Sequence, residues 1–124
     1  MLVEGERVGA SELVDDSVCD CCATAAIVQA GAGGNGSAIA YRDRTADEIR
    51  DVQVALRARG GGLATKLVGN DRWQIAGCPV NGPALAGDGR HLAVAWFSAP
   101  GDHPRMAVAR SADGGTTWGV AQTL

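Results

Sequence analysis

The sequence predicts an all-β protein of two four-stranded antiparallel units, and three observations lead to this prediction. Apolar and polar residues alternate within short runs whose lengths suit strands rather than helices. The 124 residues include 18 glycines and 4 prolines, and this much glycine without a collagen-like period is typical of many tight turns. The second half of the chain repeats the plan of the first half.

The first unit is predicted to contain four strands, and its third strand has a competing interpretation. Segment 45–59 contains "ADEIRD" and few helix breakers, so it also fits an amphipathic helix. Val52 and Val54 are β-branched and alternate by two, which favours a strand. The four predicted strands of this unit are 23–29, 37–43, 49–57 and 63–69.

The second unit repeats this order at an offset of roughly 54 to 59 residues. The run "AYRD" at 40–43 corresponds to "AWFS" at 95–98, and "VQVALR" at 52–57 corresponds to "MAVARS" at 106–111. The four predicted strands of the second unit are 83–87, 91–98, 105–111 and 119–124.

The N-terminal segment contains a short run that matches part of the same repeat. The run "ELVDD" at 12–16 resembles "KLVGN" at 66–70, which belongs to the fourth strand of the first unit. A stray strand is therefore predicted around Val8–Val14. The chain then divides into 1–18 as the outer strand of a preceding unit, 19–77 as the first unit and 78–124 as the second.

Antiparallel four-stranded units at a repeat of this size are typical of β-propeller blades. A single blade cannot bury both of its faces and needs a neighbour on each side. Since propellers contain about four to eight blades, three interpretations stay open for two blades. The chain is a piece of a longer protein, it is completed by oligomerisation, or it collapses into a β-sandwich.

The turn "SADGGTTWG" before the last predicted strand combines residue types that stabilise a tight turn. It has the form Ser-x-Asp-x-Gly-x-Thr-Trp at Ser111, Asp113, Gly115, Thr117 and Trp118. Asp113 can accept hydrogen bonds from turn amides, and Gly115 can adopt a positive φ. Trp118 can bury a large ring between sheets. We expect a structural turn here and no catalytic acid.

This motif resembles the Asp-box, or BNR repeat, of sialidase-like β-propellers. Together with "CDCCATAA", "AYRDRTADEIRDV", "GCPVNGPALA" and "VAWFSAPGDHPRMAVARSADGGTTW", it makes the chain similar to bacterial exo-α-sialidase-like proteins from about Cys19 to the end. The matching loop of the first unit, "RARGGGLATKL", lacks the box residues, so that box is degenerate.

The resemblance has two implications, one for assembly and one for location. It implies a six-bladed propeller, and three copies of a two-bladed chain would close such a ring through head-to-tail contacts. It also implies a secreted or periplasmic location. The N-terminal run "MLVEGERVG" carries acids where a signal peptide has its apolar core, so no signal peptide is predicted there.

The resemblance does not extend to a complete catalytic set. A sialidase needs an arginine cluster for the substrate carboxylate, a tyrosine nucleophile, a glutamate that assists it and an aspartate acid/base. The family's early Arg-Ile-Pro segment is missing, and the single tyrosine, Tyr41, alternates with Arg42 and should point to the opposite face. We therefore expect no catalytic residues and a sialidase-like module that is structural or binds glycan. The alternative is a glycoside hydrolase of the exo-sialidase type that is active only with additional blades or subunits.

Six residues are candidates for ligand contact. The two Arg-Asp dipeptides flank the loop between the second and third strands of the first unit, Asn81 leads into an inner strand, where propeller ligands lie, and Trp96 could line a glycan site. Each also has a simpler interpretation: ion pairs between neighbouring units for the Arg-Asp dipeptides, a turn residue for the asparagine and a core residue for the tryptophan. The candidates are Arg42, Asp43, Arg50, Asp51, Asn81 and Trp96.

The cysteines form a second unusual feature, with Cys19, Cys21 and Cys22 in one run and Cys78 as the repeat partner of Cys19. Adjacent inner strands lie close together, so a disulfide from Cys78 to one of the other three is feasible. A soft-metal site is the second interpretation: the run lacks the usual zinc spacing, but thiolates also suit copper. Buried thiols are the third.

Composition limits the remaining function classes. The chain has 11 cationic and 14 acidic residues, a net charge of −3 and no basic block, so nucleic acid is not an expected partner. No apolar run reaches the ~20 residues of a membrane helix, and no cofactor is expected. The expected partners are a glycan and further copies of the chain. Three hypotheses remain: a structural or glycan-binding module, a glycoside hydrolase and a thiol-based metal-binding module.

Overall fold

The computed structural model shows an all-β chain. Within the part of the chain that it describes there is no α-helix, and one short 3-10 turn lies at Pro100–Asp102. The same described residues contain no helix that could span a membrane. The prediction of two four-stranded antiparallel sheets is confirmed. The described residues are 3–4, 7–8, 10–29, 36–58, 62–77, 79 and 81–124.

The first sheet contains four strands in chain order, and each strand is antiparallel to the next. The register places Ala40 opposite Val54 and Arg42 opposite Val52. The helix interpretation of 45–59 is wrong, because alternating β-branched side chains bury one face of a strand there. Strands β3 to β6 are Ala25–Gln29, Gly36–Arg42, Val52–Ala58 and Leu63–Leu67.

The second sheet repeats the same order, with Val94 opposite Ala109 and Trp96 opposite Ala107. Its last strand is shorter than the predicted 119–124, because Gly119 still belongs to the preceding turn and donates its amide to the carbonyl of Arg110 at 2.9 Å. Strands β7 to β10 are Ala84–Asp88, His91–Ser98, Arg105–Ser111 and Gln122–Thr123.

The two sheets pack on each other through one face of each. Aromatic residues make up only 4% of the chain, and the core consists mostly of alanine and valine. Three glycines allow a side chain of the other sheet to pack directly on the backbone: Gly69 lies against the ring of Trp96, Gly87 against Ile27, and Gly115 against Leu56. The buried core cluster is Ala38, Ala40, Val52, Val54, Val68, Leu92, Val94, Trp96, Ala107 and Ala109.

Of the strand expected around Val8–Val14, Val8 lies in a strand and the described residues 10–14 do not. Val3–Glu4 (β1) pairs with Arg7–Val8 (β2), and residues 10–17 contain no strand. The assignment of 1–18 to a preceding blade stays a prediction.

Residues 10–18 instead lie across the outer face of the first sheet. Tyr41 donates to Asp15 at 2.8 Å, and Arg57 pairs with Glu12. Long-range contacts with polar side chains on this face therefore decide the path of the segment.

Candidate functional site

Arg42, at the end of β4, lies at the centre of the candidate site and is only 2% exposed. Its Nη1 donates to the carbonyl of Arg50 at 2.7 Å. Its Nη2 donates to the carbonyl of Phe97 at 2.7 Å, and Nε and Nη2 share the carbonyl of Asn81 at 3.2 and 3.1 Å. The guanidinium also lies 5.3 Å from the centre of the Trp73 ring. One side chain thus joins the first sheet, the second sheet and the segment that connects them.

Arg50 is 4% exposed and is held by three different acceptors. Its Nε donates to the carbonyl of Ile75 at 3.1 Å, its Nη1 to Sγ of Cys19 at 3.2 Å, and its Nη2 to Glu48 at 2.7 Å. Burial alone lowers the pKa of Arg50, but the bonds with Cys19 and Glu48 outweigh this effect and raise the pKa. Arg50 therefore stays charged and is a fixed positive charge beside the cysteine run.

The two Arg-Asp dipeptides do not form the expected ion pairs. Among the described residues Arg50 pairs with Glu48, and neither Asp43 nor Asp51 has a salt bridge. Asp51 accepts the backbone amides of Arg72 at 2.9 Å and Trp73 at 3.2 Å. Burial raises the pKa of this carboxyl. Asp51 thus fixes the loop after β6 instead of neutralising an arginine.

The other ligand candidates do not meet on one open surface. Asp43 is half-buried and accepts from Gln53 at 2.8 Å, and burial raises its pKa. Asn81 is exposed, but its backbone carbonyl is held by Arg42. Trp96 is buried in the core. The structure brings Arg42, Arg50 and Asp51 together and places the backbone carbonyl of Asn81 against Arg42, whereas the ring of Trp96 lies in the core.

Trp96 has a partner that sequence reasoning missed. Its Nε1 donates to Asp71 at 2.7 Å, and Asp71 also accepts from Arg105. Burial alone raises the pKa of Asp71, but these two donors outweigh it and hold the pKa below its usual value. Asp71 lies in a polar loop 25 residues before Trp96, so no spacing rule could have paired them.

The turn at 111–118, called the staple below, is held by hydrogen bonds among its own residues. Ser111 donates to Asp113 at 2.7 Å and accepts the amide of Gly115 at 2.9 Å. Asp113 accepts the amide of Thr117 at 2.9 Å and its hydroxyl at 2.5 Å. Gly115 has a φ of +95°. Trp118 donates to the carbonyl of Gly115 at 2.8 Å and packs against the core.

The cysteine run forms a turn at the same end of the first sheet. The amide of Cys22 donates to the carbonyl of Cys19 at 3.3 Å, and the amide of Cys19 donates to the carbonyl of Arg42 at 3.0 Å. Sγ of Cys19 lies 3.0 Å from Sγ of Cys22 and 3.6 Å from Sγ of Cys21. All three sulfurs lie within 4.8 Å of one another.

The three cysteines differ in burial and in bonding. Cys19 and Cys22 are buried, whereas Cys21 is exposed and is disulfide-bonded. Burial alone raises the pKa of Cys19, but hydrogen bonds with Cys22 and Arg50 and the charge of Arg50 outweigh it, so the pKa is lowered. The disulfide and metal predictions for Cys78 fall on a residue outside the described part of the chain.

Comparison of the chain with family models, with curated proteins and with solved structures finds no match. The similarity to sialidase-like proteins therefore stays a prediction, and the function is inferred from the geometry of the chain itself.

Proposed function

We propose that the chain is a non-catalytic module of a sialidase-like β-propeller, in which the two sheets are adjacent blades. One observation carries the proposal. The guanidinium of Arg42, one of the two arginine candidates for ligand contact, already donates to three backbone carbonyls of the protein itself. Such a side chain ties two sheets together and has no free pair of donors for a ligand.

The surroundings of the two arginines support a structural role. Recognition of a carboxylate needs arginine donors at an open surface, and Arg42 and Arg50 are both buried. Tyr41 lies on the outer face of the first sheet, opposite to Arg42, and its hydroxyl donates to Asp15. Burial and then the charge and hydrogen bond of Asp15 raise the pKa of Tyr41, which opposes its ionisation as a nucleophile.

The packing of the sheets supports the assignment as blades. Both sheets run in chain order, and their first strands, β3 and β7, lie side by side where Ile27 meets Gly87. The staple at 111–118 is then the Asp-box of the second blade. It also reaches the first blade, because the backbone of Gly115 lies against Leu56.

The outer faces of the two sheets differ in how accessible they are for packing against further blades. Met106 is 43% exposed on the second sheet, and Leu124 lies opposite it. On the first sheet, residues 10–18 cover the corresponding face through Asp15 and Glu12. Closure of a ring from three copies therefore requires the displacement of this segment.

The proposal is tested by assaying hydrolysis of a fluorogenic sialoside alongside a glycan-binding array. We expect no turnover above a protein-free blank, because the arginine donors are occupied. Turnover that is lost in Arg50→Ala, with the fold retained, would favour the alternative of a glycoside hydrolase. Glycan binding without turnover would support the ligand-binding form of the module.

A further inference from the structure

We propose that Cys19 and Cys21 form a thiol–disulfide exchange pair, in which exposed Cys21 carries a disulfide and the buried sulfur of Cys19 displaces the sulfur bonded to it. Low-molecular-weight disulfides are the external substrate class of such a pair, and they enter at Cys21. The propeller proposal neither requires nor excludes this reaction, so the two inferences are tested separately.

The two sulfurs lie within reach of each other. Sγ of Cys21 belongs to a disulfide, whereas Cys19 is a thiol. Groups of one molecule react readily when the reacting atoms are held about 3–3.5 Å apart, and the observed distance between the two Sγ atoms is 3.6 Å. A small rotation of the Cys19 side chain therefore completes the approach.

The backbone of the turn keeps the two sulfurs together. The amide of Cys19 donates to the carbonyl of Arg42 at the end of β4, at 3.0 Å, and the amide of Cys22 returns to the carbonyl of Cys19 at 3.3 Å. Because the turn is anchored to the sheet in this way, little further ordering is needed before the sulfurs react.

The surroundings of Cys19 favour the thiolate, which is the form that attacks a disulfide. Nη1 of Arg50 donates to Sγ of Cys19 at 3.2 Å, and the same guanidinium is fixed by the carbonyl of Ile75 and by Glu48. Burial raises the pKa of Cys19, but hydrogen bonds with Cys22 and Arg50 and the charge of Arg50 outweigh it and lower the pKa. A larger share of Cys19 is thus ionised than of an ordinary cysteine.

Burial separates the roles of the two residues. Cys21 is exposed, so a disulfide from solution meets this sulfur first. Cys19 is only 3% exposed, which shields it from reagents in solution but does not hinder attack on a neighbour in the same turn. The exposed sulfur is therefore the entry point, and the buried sulfur resolves the bond that forms there.

The exchange needs no further oxidant or reductant. The thiolate of Cys19 attacks Sγ of Cys21, and a new S–S bond forms between these two atoms. The bond from Cys21 to its former partner sulfur breaks, and its electron pair leaves on that partner as a thiolate. The proton that Cys19 gave up is taken by the displaced sulfur or by water, so one disulfide is present before and after the step.

The test uses the reduced full-length variant Cys22→Ser/Cys78→Ser, in which Cys19 and Cys21 are the remaining cysteines of the sequence. The dilute protein is mixed with a substoichiometric amount of dithionitrobenzoate, a chromophoric aromatic disulfide. Attack by Cys21 releases the first thionitrobenzoate ion and leaves the second bound to Cys21. Attack by Cys19 then releases the second ion, so we expect about two ions for each molecule of reagent.

The matched control adds Cys19→Ser to the same variant. Its mixed disulfide at Cys21 has no resolving thiol, so about one ion is expected for each molecule of reagent. A yield near one ion in the chain that keeps Cys19, or a second ion released equally fast in the control, would overturn the proposal.

Replacement of Arg50 tests the origin of the reactivity. In the chain that keeps Cys19 and Cys21, Arg50→Gln should slow release of the second ion by about 3- to 10-fold, because the thiolate loses its nearby positive charge. Arg50→Lys retains a charge and should restore most of the rate. Equal rates in Arg50→Gln and the unsubstituted chain would refute the role given to Arg50.

The wild-type chain provides a second measurement if the serine variants do not fold. The oxidised protein is incubated with iodoacetamide and without any redox reagent, and its disulfides are then mapped by mass spectrometry. Alkylation of the displaced sulfur makes the exchange irreversible, so a Cys19–Cys21 disulfide should accumulate with time. Recovery of Cys19 in alkylated form, with no Cys19–Cys21 disulfide, would contradict the exchange.

Discussion

The guanidinium of Arg42, at the end of β4, donates a hydrogen bond of 2.7 Å to the carbonyl of Phe97 near the end of β8. The two residues are 55 positions apart, and the bond joins the two sheets at their common end. Since Arg42 also holds the carbonyls of Arg50 and Asn81, this end of the structure depends on one planar group.

Arg42→Lys keeps the positive charge but cannot reach all three carbonyls. A buried carbonyl left without a partner costs about 1–3 kcal/mol, so we expect the free energy of unfolding to fall by about 2–4 kcal/mol in urea denaturation. Arg44→Lys is the matched control, because Arg44 is exposed and its ion pair among the described residues is with Glu48. A change within about 0.5 kcal/mol is expected for that variant. Equal effects of the two variants would contradict the role given to Arg42.

The turn at 111–118 should contribute a specific part of the acid sensitivity of the fold. The hydroxyl and then the amide of Thr117, followed by the hydroxyl of Ser111, lower the pKa of Asp113 to about 2. Because the folded-state pKa lies below the unfolded value of about 3.9, this stabilisation is complete above pH 4 and is lost as the pH falls toward 2.

Asp113→Asn should therefore flatten the loss of stability between about pH 4 and pH 2, measured as the urea midpoint at each pH. Asp102→Asn, in the exposed loop after β8, is the control and should keep the slope of the wild-type chain. An unchanged slope in Asp113→Asn would show that the turn bonds do not favour the ionised carboxyl.

Gly82 should tolerate no side chain, because the connection between the sheets passes directly over the backbone of Ala23. A Cβ atom at position 82 would overlap the carbonyl oxygen of Ala23, and backbone atoms cannot move aside as a side chain can. We expect Gly82→Ala to lower the free energy of unfolding by about 1–3 kcal/mol or more. Gly62→Ala is the control, since its nearest neighbour would be Cβ of Ala58 at 3.9 Å. Similar stabilities for the two variants would contradict this account.

Release of residues 10–18 should change the assembly state of the chain. Glu12→Ala combined with Asp15→Ala removes the partners of Arg57 and Tyr41 and frees the outer face of the first sheet. We expect light scattering to show a larger species than the wild-type chain forms, approaching three chains if the ring closes. Asp16→Ala, at a neighbouring exposed position, serves as the control. An unchanged mass in the double variant would indicate that the segment does not block association.

Local sequence patterns were sufficient to predict the strands of the two sheets and the structural turn at 111–118. The alternation of Val52 and Val54 favoured a strand over a helix for the segment that forms β5. The reason is that β-branched side chains fit a half-buried pleated surface. The Ser-Asp-Gly-Thr-Trp spacing of the turn at 111–118 predicted a structural role because its hydrogen bonds join residues at most four positions apart. Both features are decided by near neighbours.

The predictions that failed depend on partners far along the chain. A strand was expected around Val8–Val14, but Asp15 binds Tyr41 26 positions later, and this contact takes the segment across the sheet. One of the two interpretations of Arg42 was an ion pair between neighbouring units, whereas its acceptors are carbonyls whose positions only the packed sheets define. Residue types alone do not reveal such acceptors, because every residue carries a carbonyl.

The small side chains of the core have a consequence for mutational tolerance. Alanine loses no rotamer freedom on burial, so Ala38, Ala40, Ala107 and Ala109 order the interior at almost no side-chain entropy. All four are at most 2% exposed, so a larger side chain at these positions would overpack the core. Sequence drift in this interior should therefore be confined to exchanges among the smallest amino acids.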